Sequence, residues 1–582
     1  MTIQRAPLSF AFWLVLQIFS NGAFAQNPGT STEFMVANGE VGRAGGHLSA
    51  ALTAEPKTLN PVTLDDDASK LVTGVMMADL VHINRYSQMP EAALAKSWSV
   101  SRDGRQYTVK LRSGLNFSDG SPLTADDVLF SFNIYLDESV HAPQRDLLIV
   151  GGKPITVKKL DAQTIEFGLN QPYGPGVRLF DSFAILPRHL LEEPYKKGTL
   201  SQAWNLATPP TEIAGAGPFR LKQYVPGQRI IMERNPFYWK LDKQNNRLPY
   251  LDQVFFVLIP NEDSASLRFE SGEIDLISQL SAQTFASLVK QTKSEKVKLI
   301  DAGSSLQWTF LFFNLNDTRN KYPEIARKQK WFSSLGFRQA VSEAVDRDAI
   351  VRLVYKGLAS PIWSPITPGN KVWQDTRLPR PGRSLENARQ LLKNSGFSWT
   401  ADGTLFDNEH QQVEFSIVGS SSNTERMNIA TLIQEDLRQL GIHVTIVPLE
   451  FRALLNRVLD THEYEACILG LGSGDIDPNA DSNVWLSNGA THLWNLQESK
   501  PATRWEAEID ELLRAQLTER TLRERKRSFD RVQELLAQNV PFVFLVSPHV
   551  LAGAKNGLGN FQPAIMDPAA LWNIDELYWK NK

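Results

Sequence analysis

The sequence predicts a mixed α/β protein of two lobes, on three observations. Apolar and polar residues alternate over residues 107–111 and 165–169, which is typical of half-buried strands. Later, an amphipathic helix over 427–440 ends at Gly441 and is followed by an alternating strand over 442–446. The chain has 582 residues, too many for one ordinary domain. Early strand pairing followed by helix–strand alternation therefore predicts two lobes.

Capping residues and helix-ending glycines mark the predicted helices. Thr124 and Asp127 have the spacing of a capping box, which predicts that a helix begins there. Asp346 can cap a helix that Gly357 ends. In the second half of the chain, further helices are predicted over residues 337–345, 349–355 and 384–392.

Two apolar runs predict fully buried strands. One covers residues 254–259 and ends at Pro260, and the other covers 542–546 and ends at Ser547 and Pro548. Proline lacks the backbone N–H that a central strand needs, so we expect both strands to stop there.

Composition excludes several classes of protein. Hydrophobic residues make up 42% of the chain and charged residues 21%, so it can bury several cores and is not a disordered protein. The formal net charge is −3, which gives no basic field for nucleic acid. We therefore expect a globular protein with no nucleic-acid partner.

The N-terminus predicts export. Arg5 precedes an apolar run over 8–19, and the small residues Ala23 and Ala25 flank Phe24, which is the order of a signal peptide cleaved after Ala25. The run is shorter than the roughly 20 residues that span a bilayer. Residues 26–44 are expected to be a linker, with ordered structure from Gly45. Cys467, the single cysteine, is interpreted as buried and structural, and it lies too far from residue 25 for lipid attachment.

Catalytic and cofactor motifs are missing from the sequence. It has no zinc-protease pair, nucleophile turn or phosphate loop, and no amphipathic helix follows the glycines at 470–474. Asp475 and Asp477 begin a calcium-loop pattern that lacks the glycine and the glutamate it needs at its sixth and twelfth positions. The histidines, His492 among them, show no ligand spacing and are interpreted as ordinary polar residues. We predict no catalytic residue, no cofactor and no metal.

Tryptophan is frequent, with 14 residues in the chain. Several lie in segments that contain Gly, Ser or Pro, where aromatic side chains either line a ligand cleft or fill a core. Both interpretations stay open for Trp308, Trp363, Trp485 and Trp494.

Ordered motifs over about residues 45–582 resemble one family. The segments are 95–104 (AKSWSVSRDG), 117–120 (FSDG), 124–128 (TADDV), 217–219 (GPF), 233–239 (ERNPFYW), 248–252 (LPYLD) and 271–275 (SGEID). In this order they resemble family 5 of the extracellular solute-binding proteins, which serve ABC importers of dipeptides and oligopeptides.

The resemblance implies a two-lobed periplasmic-binding-protein clamp, type II-like and of the large cluster, with an extra subdomain in lobe 1 and two crossings between lobes. The implied division is residues 45–85, 214–302 and 545–582 for the first lobe, 86–213 for its extra subdomain and 303–544 for the second lobe.

The resemblance also implies ligand-binding residues. A carboxylate of the second lobe binds the ligand's α-ammonium group, and by position this is Asp475, with Asp477 as the substitute. The peptide backbone is expected to pair as an added strand in the cleft. Further candidates are Asp67 and Ser69 in an early loop, Trp308 at the first crossing, and Trp363 and Trp485 as pocket walls.

The function implied is a periplasmic, monomeric binding protein that captures peptides or peptide-like solutes and delivers them to an ABC permease in the inner membrane. The same scaffold could instead bind a sugar, an opine or a metal chelate, since fold does not fix the ligand. An exported hydrolase using Asp475 and Asp477 is the alternative from another class.

Overall fold

The computed structural model describes residues 33–181, 183–291 and 296–580, and these form a mixed α/β structure. The predicted signal peptide and the first part of the predicted linker lie outside the described residues. Within the described ranges, no helix combines the length and apolar character needed to cross a membrane.

The strands, in chain order, are β1 Met35–Val36, β2 His47–Leu52, β3 Val81–Ile83, β4 Pro90–Ala92, β5 Ala95–Val100, β6 Gln106–Leu111, β7 Ile149–Val150, β8 Lys153–Pro154, β9 Thr156–Lys159, β10 Thr164–Gly168, β11 Phe219–Val225, β12 Arg229–Arg234, β13 Lys240–Leu241, β14 Gln253–Leu258, β15 Leu276–Ile277, β16 Val297–Ser304, β17 Gln307–Phe313, β18 Ala359–Pro361, β19 Ser398–Trp399, β20 Leu405–Phe406, β21 Glu414–Ser420, β22 His443–Leu449, β23 Ala466–Gly472, β24 Phe542–Lys555, β25 Leu558–Gly559 and β26 Tyr578–Trp579.

The α-helices are α1 Asp67–Met76, α2 Ala125–Leu136, α3 Arg188–Lys196, α4 Glu262–Glu270, α5 Ala282–Gln291, α6 Pro323–Ser333, α7 Leu335–Ala344, α8 Arg347–Leu353, α9 Leu385–Asn394, α10 Thr424–Arg438, α11 Phe451–Leu455, α12 Ser482–Trp485, α13 Arg504–Gln516 and α14 Leu522–Asn539. Short 3₁₀ turns and one π turn lie at Glu138–Val140, Arg145–Leu148, Gly176–Phe180, Leu200–Gln202, Pro210–Glu212, Asn456–Thr461, Pro478–Asp481 and Ile574–Glu576.

One large sheet runs through both predicted lobes. Its strand order is β11-β12-β14-β2-β15-β24-β17-β23-β21-β22, and β16 and β18 also pair with β24. The first-lobe strands lie on one side of β24, and the second-lobe strands lie on the other side. The sheet therefore joins the lobes through β24.

Strand β24 is the second of the two chain crossings. Its first residues pair with β17, whereas His549–Lys555 pair with β16. The first crossing is made by β16 and β17 themselves, which are separated only by Ser305 and Leu306. Both crossings lie side by side, as a hinge between two lobes requires.

The predicted end of this strand at Ser547 and Pro548 is wrong. Pro548 has no N–H to donate, but its carbonyl accepts a hydrogen bond from the N–H of Ser305. The strand therefore stays paired and continues to Lys555. The proline lies where the pairing partner changes from β17 and β18 to β16. A break in the ladder at this point costs little, so the proline does not end the strand.

The residues of the predicted extra subdomain contain a separate sheet of order β5-β6-β10-β9 with α2 packed on it. The predicted strands at 107–111 and 165–169 form its β6 and β10. The capping box that begins α2 is confirmed, since Thr124 and Asp127 bond each other's backbone N–H groups.

The predicted helices of the second half are also present, as α7, α8, α9 and α10. Asp346 caps α8, and its side chain accepts a hydrogen bond from the N–H of Ala349. Strand β22 follows α10 as expected, and the buried run at 254–259 forms β14.

Ordered structure begins earlier than predicted. Met35–Val36 forms a parallel pair with Lys240–Leu241, so this part of the expected linker is tied to the first lobe. The sequence pattern missed this pair because two residues are too short a run for periodicity to show.

The second lobe has a core on each face of its sheet. In β17, Trp308, Phe310 and Phe312 point into one core, whereas Leu311 and Phe313 point into the other. Cys467 lies in the first of these cores with no exposed surface, and burial raises the pKa of its thiol. The structural interpretation of this cysteine is therefore confirmed.

Candidate functional site

The extra subdomain contacts the second lobe directly. The Gln88 side chain donates to the carbonyl of Gly369 at 2.7 Å and accepts from the N–H of Lys371 at 3.1 Å. The N–H of Gly174 donates to the carbonyl of Leu517 at 2.6 Å. These contacts hold the lobes against each other, and the space around them is the candidate site.

Asp475 lies at the centre of this contact region. Its carboxylate forms a bidentate ion pair with Arg178, which belongs to the extra subdomain, and the Nε–Oδ2 distance is 3.2 Å. The Arg178 side chain is 11% exposed and that of Asp475 is 33% exposed. A paired, partly shielded charge of this kind holds the two lobes in contact.

Local geometry fixes the Asp475 carboxylate. It follows β23 by three residues, and its Oδ1 also accepts from the N–H of Ile476 at 2.6 Å. Burial raises the pKa of Asp475, the charge of Arg178 opposes this, and the charge of Asp477 adds to it. The site therefore favours a cation beside this carboxylate.

Asp481 lies near enough to Asp475 for the charges of the two carboxyl groups to interact. Burial raises its pKa to about 6, and the Ser473 hydroxyl opposes the shift while the charge of Asp475 adds to it. Two neighbouring carboxyl groups whose ionised forms are both disfavoured make a good binding place for an ammonium group.

The first-lobe side of the site contains both acidic and basic side chains. Asp181 accepts from the N–H of Ile83 at 3.0 Å and pairs with Arg85 at 3.4 Å. The carboxyl of Asp567 is close enough to be affected by the charges of both Asp67 and Arg85. Asp67 therefore lies near this cluster.

The two residues predicted in an early loop, Asp67 and Ser69, lie instead in the first turn of α1, and their environments differ. The Asp67 carboxylate is fully exposed, 3.4 Å from Lys70, and is available to a ligand. Ser69 is buried, and its hydroxyl accepts from the N–H groups of Lys57 and Thr58 and donates to Asp66. Ser69 therefore joins the start of α1 to the segment at Lys57 and Thr58.

Asp477 has a structural environment. Its carboxylate forms two hydrogen bonds with Arg525, at 2.7 and 2.8 Å, and both side chains are about 5% exposed or less. Asp477 also caps the turn Pro478–Asp481. It therefore anchors the loop that carries Asp475 and Asp481.

Trp308 and Trp485 pack against each other below the site. Each is 1% exposed, and their rings stack with centroids 5.6 Å apart. In this arrangement they fill the core under the Asp475 loop. Trp494, in the same core, is also 1% exposed.

Trp363 lines a cavity of about 530 Å³ whose lining residues all belong to the second lobe. Its Nε1 donates to the carbonyl of Pro381 at 3.2 Å, and the Arg347 guanidinium lies 5.5 Å from its ring centroid. The structure does not bring Trp363 together with Asp475.

The hinge is held by small side chains and one glycine. The hydroxyls of Ser304 and Ser547 are 2.8 Å apart, and Ser547 donates to the carbonyl of Ser305. Gly369 packs so closely that a Cβ there would lie 1.9 Å from the carbonyl oxygen of Ser304. The loop containing Gly369 thus braces the crossing and also touches Gln88 of the extra subdomain.

Arg178 and Asp481 are the site residues that sequence reasoning missed. Arg178 is 297 residues from Asp475, and its own segment gives no signal of a partner. Asp481 lies in the same acidic segment as Asp475 and Asp477, so its position was visible, but its burial was not.

Comparisons with known proteins agree with this architecture. Residues 89–492 match the model of the bacterial extracellular solute-binding proteins, family 5. The chain is 26% identical over 530 residues to a protein of Deinococcus radiodurans described as a probable ABC transporter-binding protein, covering 87% of this chain and 88% of that one. It is 24% identical to the oligopeptide-binding protein AppA of Bacillus subtilis, covering 94% of both chains.

Solved structures share the fold. The substrate-binding protein CtaP of Listeria monocytogenes has a TM-score of 0.75 at 23% identity, with 93% of this chain and all of that chain covered. AppA of Bacillus subtilis in complex with a nonapeptide has a TM-score of 0.66 at 23% identity, with the same coverage. The two-lobed fold is thereby confirmed, and the chain belongs to family 5 of the bacterial extracellular solute-binding proteins.

Proposed function

We propose that this chain is the periplasmic substrate-binding component of an ABC importer, and that it captures peptides by lobe closure and delivers them to an inner-membrane permease. It acts as a monomer, without catalytic activity or a cofactor. Family membership supports this, as do an oligopeptide-binding relative and a neighbour solved with a nonapeptide. The predicted division into two lobes and an extra subdomain is part of the proposal.

The observation that carries the proposal is the Asp475 carboxylate at the lobe contact, paired with Arg178 and close to Asp481. A peptide's α-ammonium group supplies a positive charge that stabilises the ionised forms of both carboxyl groups. It replaces Arg178 beside Asp475, and Arg178 turns toward the rest of the ligand.

Closure follows from differential affinity. A ligand shifts the balance toward the closed state only if it binds that state more tightly than the open one. Asp475 belongs to the second lobe, whereas Arg178 and Asp67 belong to the first. A ligand that contacts both sides therefore stabilises closure.

The other predicted residues have supporting roles in this proposal. Asp477, held by Arg525, positions the loop that carries Asp475. Trp308 and Trp485 form the packed base of that loop. Asp67 is the predicted first-lobe residue left exposed to a ligand, and Ser69 joins the start of α1 to the segment at Lys57. Trp363 remains a proposed pocket wall at a greater distance.

The test compares peptides that differ only at the N-terminus. Calorimetry with a pool of three- to five-residue peptides, free and N-acetylated, measures whether the ammonium group is required. We expect free peptides to bind and N-acetylated peptides to bind with an affinity lower by roughly tenfold or more, since a buried charge-assisted hydrogen bond contributes about 1.5–3 kcal/mol.

Asp475→Asn should remove most of this discrimination. Asp348→Asn, at an exposed carboxylate in the first turn of α8, is the matched control and should leave it unchanged. Equal binding of free and acetylated peptides would remove the ammonium role of Asp475. Failure of every peptide to bind or to compact the protein in X-ray scattering would remove the peptide function itself.

A further inference from the structure

A cluster of three possible metal ligands lies in the second lobe, outside the proposed peptide site. One ligating atom from each of His492, Glu498 and Glu506 lies within 4.8 Å of the other two. His492 has no exposed surface and Glu506 is 3% exposed, whereas Glu498 is half-buried. The three residues come from one segment that runs from the end of a turn into α13.

The Nε2 nitrogen of His492 faces the carboxylates with no hydrogen-bond partner. Its Nδ1 lies 3.1 Å from the carbonyl oxygen of Val484, and a carbonyl only accepts, so Nδ1 must carry the proton. In the neutral ring Nε2 is then an unprotonated acceptor. Nε2 is buried, makes no hydrogen bond, and lies 3.8 Å from Oε1 of Glu506.

Three acceptor atoms that face one another in a buried space repel unless a cation lies between them. The donors around the cluster hold the carboxylates without satisfying the histidine nitrogen. Trp494 Nε1 donates to Glu506 Oε1 at 2.9 Å, and Thr503 bonds Oε2 through its N–H and hydroxyl. Asn495 and the N–H of Ala502 donate to Glu498.

We propose that His492, Glu498 and Glu506 bind a divalent transition-metal cation, with Zn²⁺ as the best match to one imidazole and two carboxylates. Zinc takes nitrogen at about 2.0–2.1 Å and carboxylate oxygen at about 2.0–2.2 Å. Tetrahedral ligands at these distances lie about 3.4 Å apart, so the separation between Nε2 and Oε1 of Glu506 has to shorten by only a few tenths of an ångström.

The surroundings match a zinc site in two further respects. A ligating histidine usually donates its other ring N–H to a carbonyl or carboxylate, and here Val484 accepts it. Residues 497, 499 and 500 are exposed, and the half-buried Glu498 therefore gives the ion a path from solvent.

This site departs from the expectation of no metal, because the ligands have none of the familiar short spacings. It is independent of peptide binding, since none of its residues contacts Asp475 or Arg178 among the hydrogen bonds and ion pairs of the described residues. The ion would tie the turn at His492 to the start of α13, so its consequence is stability of the second lobe.

The test uses the full-length mature protein stripped with EDTA. Titration with Zn²⁺ against a competing chelator gives the affinity, and Co²⁺ substitution gives a visible spectrum that reports coordination by nitrogen and oxygen. We expect one equivalent to bind with micromolar or tighter affinity. We also expect the thermal midpoint to rise with free Zn²⁺, as linkage requires.

Glu498→Gln removes a ligand at a half-buried position and should weaken binding by roughly 10- to 100-fold. Glu511→Gln, an exposed glutamate on α13, is the matched control and should bind as the unaltered protein does. His492→Gln should abolish the Co²⁺ spectrum, and peptide affinity should stay the same in all three variants.

A protonated imidazolium is the competing explanation for the buried nitrogen. NMR of protein labelled with ¹⁵N-histidine would then show both nitrogens of His492 carrying protons at neutral pH. The proposal would be overturned if added Zn²⁺ left this doubly protonated NMR signal unchanged. It would also be overturned by a dissociation constant for Zn²⁺ above about 100 μM, or by equal Zn²⁺ affinity in the Glu498→Gln and Glu511→Gln variants.

Discussion

The ion pair between Arg178 and Asp475 should control how often the empty protein is closed. It is bidentate, with one side chain 11% and the other 33% exposed, so its contribution lies near the lower end of the 1.5–3 kcal/mol of charged hydrogen bonds. A loss of about 1.5 kcal/mol changes the closed-to-open ratio roughly tenfold. Arg178→Met should therefore shift the empty protein toward the open form.

The assay is single-molecule energy transfer between dyes on the two lobes. Lys222 in β11 and Lys393 in α9 are exposed positions for introduced cysteines, and the native Cys467 is fully buried. A double-mutant cycle with Arg178→Met and Asp475→Asn isolates the pair, because each variant removes the same interaction. We expect a coupling of about 1–2 kcal/mol in the closed-to-open free energy.

Peptide binding gives an independent check on this prediction. If the ligand enters only the open form, the association rate rises with the open fraction, by up to about tenfold when the closed form dominates. A coupling below about 0.3 kcal/mol together with an unchanged association rate would refute the closing role of this ion pair.

Three other substitutions test the loop, the hinge and the pH dependence. Asp477→Ala leaves the Arg525 guanidinium buried without its partner, so the free energy of unfolding in urea should fall by about 3–5 kcal/mol. Gly369→Ala forces a Cβ against the Ser304 carbonyl, so it should lower the thermal midpoint and shift the lobes apart in X-ray scattering. The raised pKa of Asp481, about 6, means that protons compete with a bound ammonium group, so peptide affinity should fall below pH 6 by up to tenfold per pH unit. Asp481→Asn should flatten that fall.

Each of these expectations has a contrary result. A loss of less than about 1 kcal/mol for Asp477→Ala would mean that its ion pair does not anchor the loop. A Gly369→Ala protein with unchanged scattering and thermal midpoint would show that the loop does not brace the crossing. Peptide affinity that is constant from pH 7 to 5, or that rises on acidification, would contradict the pKa of Asp481.

Local elements were predictable because they follow from nearest neighbours in sequence. The Thr124 capping box and the alternation in β6 and β22 depend on residues within a few positions of each other. Strand β24 was cut short in prediction because a proline normally ends a central strand. What keeps the strand going is the change of pairing partner around Pro548, which only the tertiary arrangement shows.

The site was predicted only in part, for the same reason. The resemblance pointed to Asp475, but nothing in the residues around 178 shows that Arg178 is its partner. The choice between cleft and core for Trp308 depended on which face of β17 its side chain occupies. In β17 both faces are buried, so alternation could not identify a ligand-facing side.

Native mass spectrometry of the protein purified from its export compartment shows whether it carries peptides. Denaturation afterwards releases and identifies whatever was bound. We expect a heterogeneous set of short peptides with free N-termini. A single non-peptide mass, such as a sugar or a metal chelate, would keep the importer role but contradict the peptide function.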